Sequence, residues 1–284
     1  VAKRGGEAAG MNYRHAYHAG NFADLVKHGL LLWLLARLAR DERRLLVVDT
    51  HAGSGLYDLG EGAVRSKEAQ AGIARLMSAP RLPNELAELK AAVAGRNGGG
   101  ETVRWYPGSP VLIADSLRKG DRYVACELRP EEHDLLAERL KGREGVETRQ
   151  ADGYEVVRAV ASGDRRRLVL IDPPFERPDD YVRCAETAGA LMRRDPDTVI
   201  AIWLPIKDME TFDGFLRRLS DAGVKRALVA EARLRPLTNP MQMNGCAVVL
   251  INPPEGAQAA AQDVCEWTAI ALGEPGGRGE AWWT

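Results

Sequence analysis

Seven short strand-like runs recur along the chain, and helical segments lie between most of them. The runs are RLLVVDT (44–50), DRYVACEL (121–128), VETRQADG (146–153), RRLVLIDPP (166–174), TVIAIWLP (198–205), RALVAEARL (226–234) and CAVVLINPP (246–254). Several are almost continuously apolar, as a strand must be when helices cover both faces of its sheet. Helical spacing fills 130–141, 154–162, 179–194 and 207–222. Alternation of this kind builds an α/β doubly wound sheet. Only the loop RPLTNPMQMNG separates the last two runs, too little for a crossover helix, so these two pair antiparallel. Seven strands, parallel except for a reversed last one, make the Rossmann-like architecture of the S-adenosylmethionine-dependent methyltransferases.

The spacing breaks once. About 70 residues separate the first run from the second, too many for a single crossover. GSPVLIADSLRKG (108–120) reads as the crossover helix, which leaves 56–104, with helical stretches at 66–78 and 83–95, as a small inserted helical subdomain. An insertion at the carboxyl end of a strand sits over the ligand crevice of such a sheet. The remaining segments, 11–55 and 105–284, form the methyltransferase domain, and the Gly-rich residues 1–10 read as a disordered extension. A helix is expected from Asn21, a good N-cap, to about Arg40.

Composition narrows the class. The longest apolar stretch, GLLLWLLA (29–36), falls well short of the ~20 residues of a membrane span. VAKRGGEAAG has no apolar core, so it does not read as a secretory signal. Cys126, Cys184, Cys246 and Cys265 form no CxxC pair, which argues for reduced thiols in a cytoplasmic protein and against a metal. A net charge of −1 neither announces nor excludes a nucleic-acid partner.

The chemistry concentrates at strand ends. DTHAGSG (49–55) turns tightly after the first strand, but Asp58 stands where a dinucleotide fingerprint needs its third glycine. Glu127 ends the second strand, where an acid accepts from ribose hydroxyls. Asp152 follows the third and suits an adenine amino group, with Gly153 letting the backbone come close. Asp172 ends the fourth strand in VLIDPPFE (169–176). Its carboxylate and the Pro173 carbonyl are two adjacent acceptors, which suits an exocyclic amino group with two N–H donors. Phe175 offers a stacking face for a flat base. VLINPPEG (249–256) repeats the pattern, but Glu255 replaces the aromatic and the strand is reversed, so Asn252 has a structural role. In YRHAYHAGNFADLVKH (13–28), Lys27 and His28 lie one turn into the helix and face the carboxylate of the methyl donor.

YRHAYHAGNFADLVKH, DTHAGSGLY, YPGSP, ELRP, ADGY and LIDPPFE occur in this order, and together they resemble the bacterial RlmJ family of 23S ribosomal RNA adenine-N6 methyltransferases. The resemblance runs from about Met11 to the C-terminus. It implies that S-adenosylmethionine is held by His28, His51, Ser109, Glu127, Asp152 and Gly153, without a metal, and that Asp172 is catalytic. It places Tyr13 near the substrate RNA. The partner it implies is 23S ribosomal RNA, met by a monomer in the cytoplasm. Phe175 stands where relatives often carry tyrosine. Two other readings are open at this stage: DNA adenine-N6 methylation, and a non-catalytic RNA-binding module with a degenerate fold.

Overall fold

A computed structural model describes residues 18–60, 67–177 and 179–284. The expected extension 1–10 and Tyr13 lie outside the described residues.

Helix α1 (Phe22–Leu38) starts at the Asn21 cap, whose side-chain oxygen accepts from the backbone N–H groups of Ala23 and Asp24, both at 3.0 Å. It ends at Leu38, short of the expected Arg40. Strands β1 (Leu45–Asp49), β4 (Arg122–Cys126), β5 (Val146–Arg149), β6 (Arg166–Ile171) and β7 (Val199–Ile206) run parallel. β9 (Gly245–Ile251) lies between β7 and β8 (Leu228–Arg233) and is antiparallel to both, as the short loop requires. The helices α5 (Ser109–Ser116), α6 (Pro130–Leu140), α7 (Gly153–Ala159), α8 (Asp179–Arg194) and α9 (Met209–Asp221) follow their strands.

Both faces of the sheet are covered, which is why β1 is buried at all five positions. Leu45 and Val47 join the core that contains Leu30 and Leu34 of α1. Leu46 and Val48 face the other way, into the core with Cys184 of α8 and Phe212 of α9. Each such side chain contributes about 1.5–3 kcal/mol by leaving water.

The seven expected strands are joined by an eighth. After helix α10 (Ala257–Leu272), β10 (Arg278–Trp283) pairs antiparallel with β8, giving the order β10–β8–β9–β7–β6–β1–β4–β5. RGEAWW carries no continuous apolar run, because an edge strand buries little of itself. No helix among the described residues is long and apolar enough to cross a membrane.

Between β1 and α5, β2 (Leu56–Asp58) and β3 (Trp105–Pro107) form a two-stranded antiparallel sheet. Helices α2 (Lys67–Ala71), α3 (Ile73–Ser78) and α4 (Asn84–Arg96) lie between them in the chain. This stretch is docked on the start of α1: Ile73 N–H donates to the Gly20 carbonyl at 2.8 Å. A Cβ on Gly72 would sit 2.3 Å from the same oxygen, so only glycine allows the contact.

Candidate active site

The carboxyl ends of β1, β4, β5, β6 and β7 open on a crevice of about 820 Å³. That volume suits a small-molecule site of ordinary size. His28, His51, Ser109, Glu127, Asp152, Gly153, Asp172, Pro173 and Phe175 all line it, and so does Lys27. Segments far apart in the chain meet there because parallel strands put all their carboxyl ends on one edge. Asn252, at the end of the reversed β9, is not among the lining residues. Its side-chain amide donates to the carbonyls of Pro196 (2.6 Å) and Thr198 (3.0 Å) and so ties β9 to the start of β7.

Asp49 closes β1 and is fully buried. It accepts from Ser109 Oγ at 2.7 Å and from His51 N–H at 3.2 Å. Burial pushes its carboxyl up to about 6, with the Ser109 hydroxyl working the other way. The expected donor contact Ser109 therefore has its hydroxyl on a protein carboxylate. Burial also pushes the His51 imidazole down to about 4, so it is neutral near pH 7. Its Nδ1 pairs with Thr50 Oγ1 at 2.7 Å, and its ring packs edge-on to Tyr154. His28 is buried, with Nδ1 at 2.7 Å from the Tyr106 hydroxyl.

Glu127 bridges two backbones: one oxygen accepts from Gly53 N–H at 3.0 Å, the other from Arg129 N–H at 2.9 Å. The glycine turn after β1 is thereby held against the end of β4. Asp152 caps α7 by accepting from Tyr154 N–H at 2.9 Å, and it pairs with Arg183 at 2.6 Å. Burial works against its charge, yet Arg183 and the cap hold it below the ordinary carboxylate range. Gly153 is required for a reason the sequence did not suggest. A Cβ there would lie 2.0 Å from the Thr50 carbonyl, so the glycine serves packing on the β1 exit.

At the end of β6, Lys27 Nζ lies 2.6 Å from Asp172 Oδ2 and 2.9 Å from Asp24 Oδ1. Lys27 is about 5% exposed. Burial disfavours its charge, but Asp172 and Asp24 more than offset this and hold it well above the ordinary lysine range. Lys27, expected to meet a donor carboxylate, lines the crevice with its ammonium on two protein carboxylates. Asp24, in the first turn of α1, is part of the site, and it also accepts from Gly20 N–H at 2.9 Å. Phe175 takes a left-handed backbone (φ 51°) after the two prolines. Its ring lies 4.7 Å from Tyr181 and 5.9 Å from Trp203, centroid to centroid. An aromatic wall thus stands beside Asp172. Tyr181 and Trp203 carry no local sequence signal for this, since they come from α8 and β7.

No group of His, Cys, Asp and Glu side chains among the described residues is arranged to hold a metal ion. The donor set instead suits a nucleoside derivative: carboxylates at the ends of β4 and β5, the glycine turn after β1 beside them, and aromatic rings at the far wall.

Comparisons with known proteins agree in one direction. The family model described as "Ribosomal RNA large subunit methyltransferase D, RlmJ" matches residues 42–284. A Haemophilus influenzae protein named "Ribosomal RNA large subunit methyltransferase J" is 31% identical over 276 residues, covering 96% of this chain and 97% of the relative. An Escherichia coli protein of the same name is 32% identical over 273 residues, covering 95% and 97%. Among solved structures, a Legionella pneumophila protein superimposes with a TM-score of 0.85 at 28% identity, covering 94% of this chain and 98% of that one.

Proposed function

The chain belongs to the family described as Ribosomal RNA large subunit methyltransferase D, RlmJ, and from that premise we propose that it methylates N6 of an adenine in 23S ribosomal RNA. The observation that carries this reading is Asp172, followed by Pro173, at the carboxyl end of β6 beside the Phe175–Trp203 wall.

S-adenosylmethionine, when bound, supplies an electrophilic methyl group on a sulfonium. In this reading Glu127 takes its ribose hydroxyls, and Asp152, Gly153, His51, His28 and Ser109 line the rest of its place. That assignment is supported by their shared place in the lining of the crevice.

The Asp172 carboxylate and the Pro173 carbonyl accept the two N–H bonds of the adenine amino group. With both held, the nitrogen lone pair is turned away from delocalisation into the ring and toward the methyl group. Phe175 stacks on the base and fixes its plane. Orientation of this kind supplies much of the rate, since the reacting atoms are held close and aligned. Lys27 holds Asp172 Oδ2 at 2.6 Å and so fixes the carboxylate in place as a hydrogen-bond acceptor. A strong base is unnecessary, because the amino nitrogen becomes acidic once methylated and gives its proton to Asp172 Oδ or to water.

Several finer assignments belong to the same reading. Residues 56–104 form an inserted unit over the crevice, supported by Tyr57 and Glu68, which line it. Tyr13 contacts the RNA. The protein acts as a cytoplasmic monomer.

The direct test is Asp172→Ala with labelled donor and unmodified 23S ribosomal RNA. Methyl transfer is expected to vanish while donor binding by calorimetry stays within about threefold. Transfer at near wild-type rate would remove Asp172 from the mechanism.

A further inference from the structure

The two walls of the crevice differ. The β1–β4–β5 side is polar, with Glu127 and Asp152. The β7 side presents Trp203, Pro205 and Lys207, and above them the loop between β8 and β9 with Met241 and Met243. Met241 is 89% exposed, the most exposed large apolar side chain among the described residues. A lone exposed apolar residue needs no explanation by itself. This one stands at the mouth of the crevice, on a loop that is fastened in place.

The fastening is a chain of hydrogen bonds through one buried amide. Asn244 is fully buried. Its side chain donates to the Lys207 carbonyl at 2.9 Å and to the Asn239 carbonyl at 2.7 Å. Its backbone N–H donates to the Ile206 carbonyl at 2.9 Å. Asn239 Oδ1 in turn accepts from Met241 N–H at 3.0 Å. The loop tip carrying the thioether is therefore tied to the strand end carrying the exposed Lys207 ammonium.

The proposed reaction makes a demand that this rim meets. An adenine amino group reaches Asp172 only after the base leaves its stack, at a cost of a few kcal/mol. Proteins that open a stack offset that cost by inserting an apolar side chain into the gap. Methionine suits the task, being unbranched, adaptable and favourable against aromatic faces. A cation held beside it meets the backbone phosphates. We infer that Met241 occupies the place the target adenine vacates, and that Lys207 takes a backbone phosphate next to it. The inference rests on the adenine-methyltransferase reading above.

The test compares two RNAs once the wild-type enzyme has marked its adenine on 23S ribosomal RNA. One is the folded fragment in which that adenine is stacked; the other is a short unstructured strand of the same sequence. For Met241→Ala, the ratio of kcat/KM on folded to unstructured RNA is expected to fall about tenfold, and Met241→Leu restores it to within about threefold. With 2-aminopurine at the target position, the fluorescence rise on binding is lost with Met241→Ala and kept with Met241→Leu. Lys207→Gln lowers the slope of log affinity against log salt by about one. An unchanged ratio with Met241→Ala, or equal loss on both RNAs, overturns the wedge while the adenine reading stands. A wild-type enzyme that marks no adenine N6 on 23S ribosomal RNA overturns both.

Discussion

Lys27 Nζ sits 2.6 Å from Asp172 Oδ2, bridging 145 residues of chain, and its other carboxylate partner is Asp24 at 2.9 Å. One ammonium therefore faces two acids, half-buried Asp172 at the end of β6 and buried Asp24 on α1. Removing it takes the shared ammonium away from two like charges. Lys27→Met is expected to cost about 3 kcal/mol in urea denaturation and to slow single-turnover methyl transfer about 100-fold. Lys27→Arg should not rescue it, because a planar fork does not replace a compact ammonium packed between two carboxylates. A Lys27→Met protein of wild-type rate and stability would refute the bridge.

Asp49 gives a stability signature in pH. Its folded carboxyl is raised to about 6 from 3.8, chiefly by burial. Below the unfolded value it is protonated in both states and costs nothing. As pH rises through about 6, the folded state must ionise a buried acid, and the stabilisation is lost. Asp49→Asn does not titrate, so its stability relative to wild type should rise by about 2–3 kcal/mol between pH 4 and pH 7. Urea denaturation at both pH values measures this, and a flat difference would show that Asp49 is not the titrating group.

Gly153 and Thr50 approach too closely for any side chain. Gly153→Ala places a Cβ 2.0 Å from the Thr50 carbonyl. Overpacking against backbone should cost about 3 kcal/mol and lower the midpoint of thermal unfolding. A variant as stable as wild type would mean that the β1 exit yields easily.

Asn252 separates structure from catalysis. It has φ 51° and donates to two carbonyls at the start of β7. Asn252→Ala should lose about 2 kcal/mol of stability with methyl transfer nearly unchanged, and Asn252→Gly should be the milder of the two because glycine accepts that backbone. Loss of transfer in a folded Asn252→Ala protein would return VLINPPEG to the active site.

Much of this was legible along the chain. Strands buried on both faces announce themselves as apolar runs, and their order fixes which ends share an edge. Glu127, Asp152 and Asp172 could be placed together from that alone. What the sequence hid depends on side chains meeting across the fold. The Lys27–Asp172 bridge joins α1 to β6, and the wall around Phe175 draws on Tyr181 and Trp203. Gly153 lines the crevice, and its close approach to the Thr50 carbonyl adds a packing requirement that no local pattern shows. The edge strand β10 was missed because RGEAWW is only half-buried and carries no period.

The central claim is that this crevice methylates an adenine amino group. Unmodified 23S ribosomal RNA incubated with the protein and S-adenosylmethionine, digested to nucleosides and analysed by mass spectrometry, tests it most directly. N6-methyladenosine is predicted with the wild-type protein and none with Asp172→Ala. A different methylated nucleoside, or none from an active, donor-binding wild-type preparation, would contradict the account.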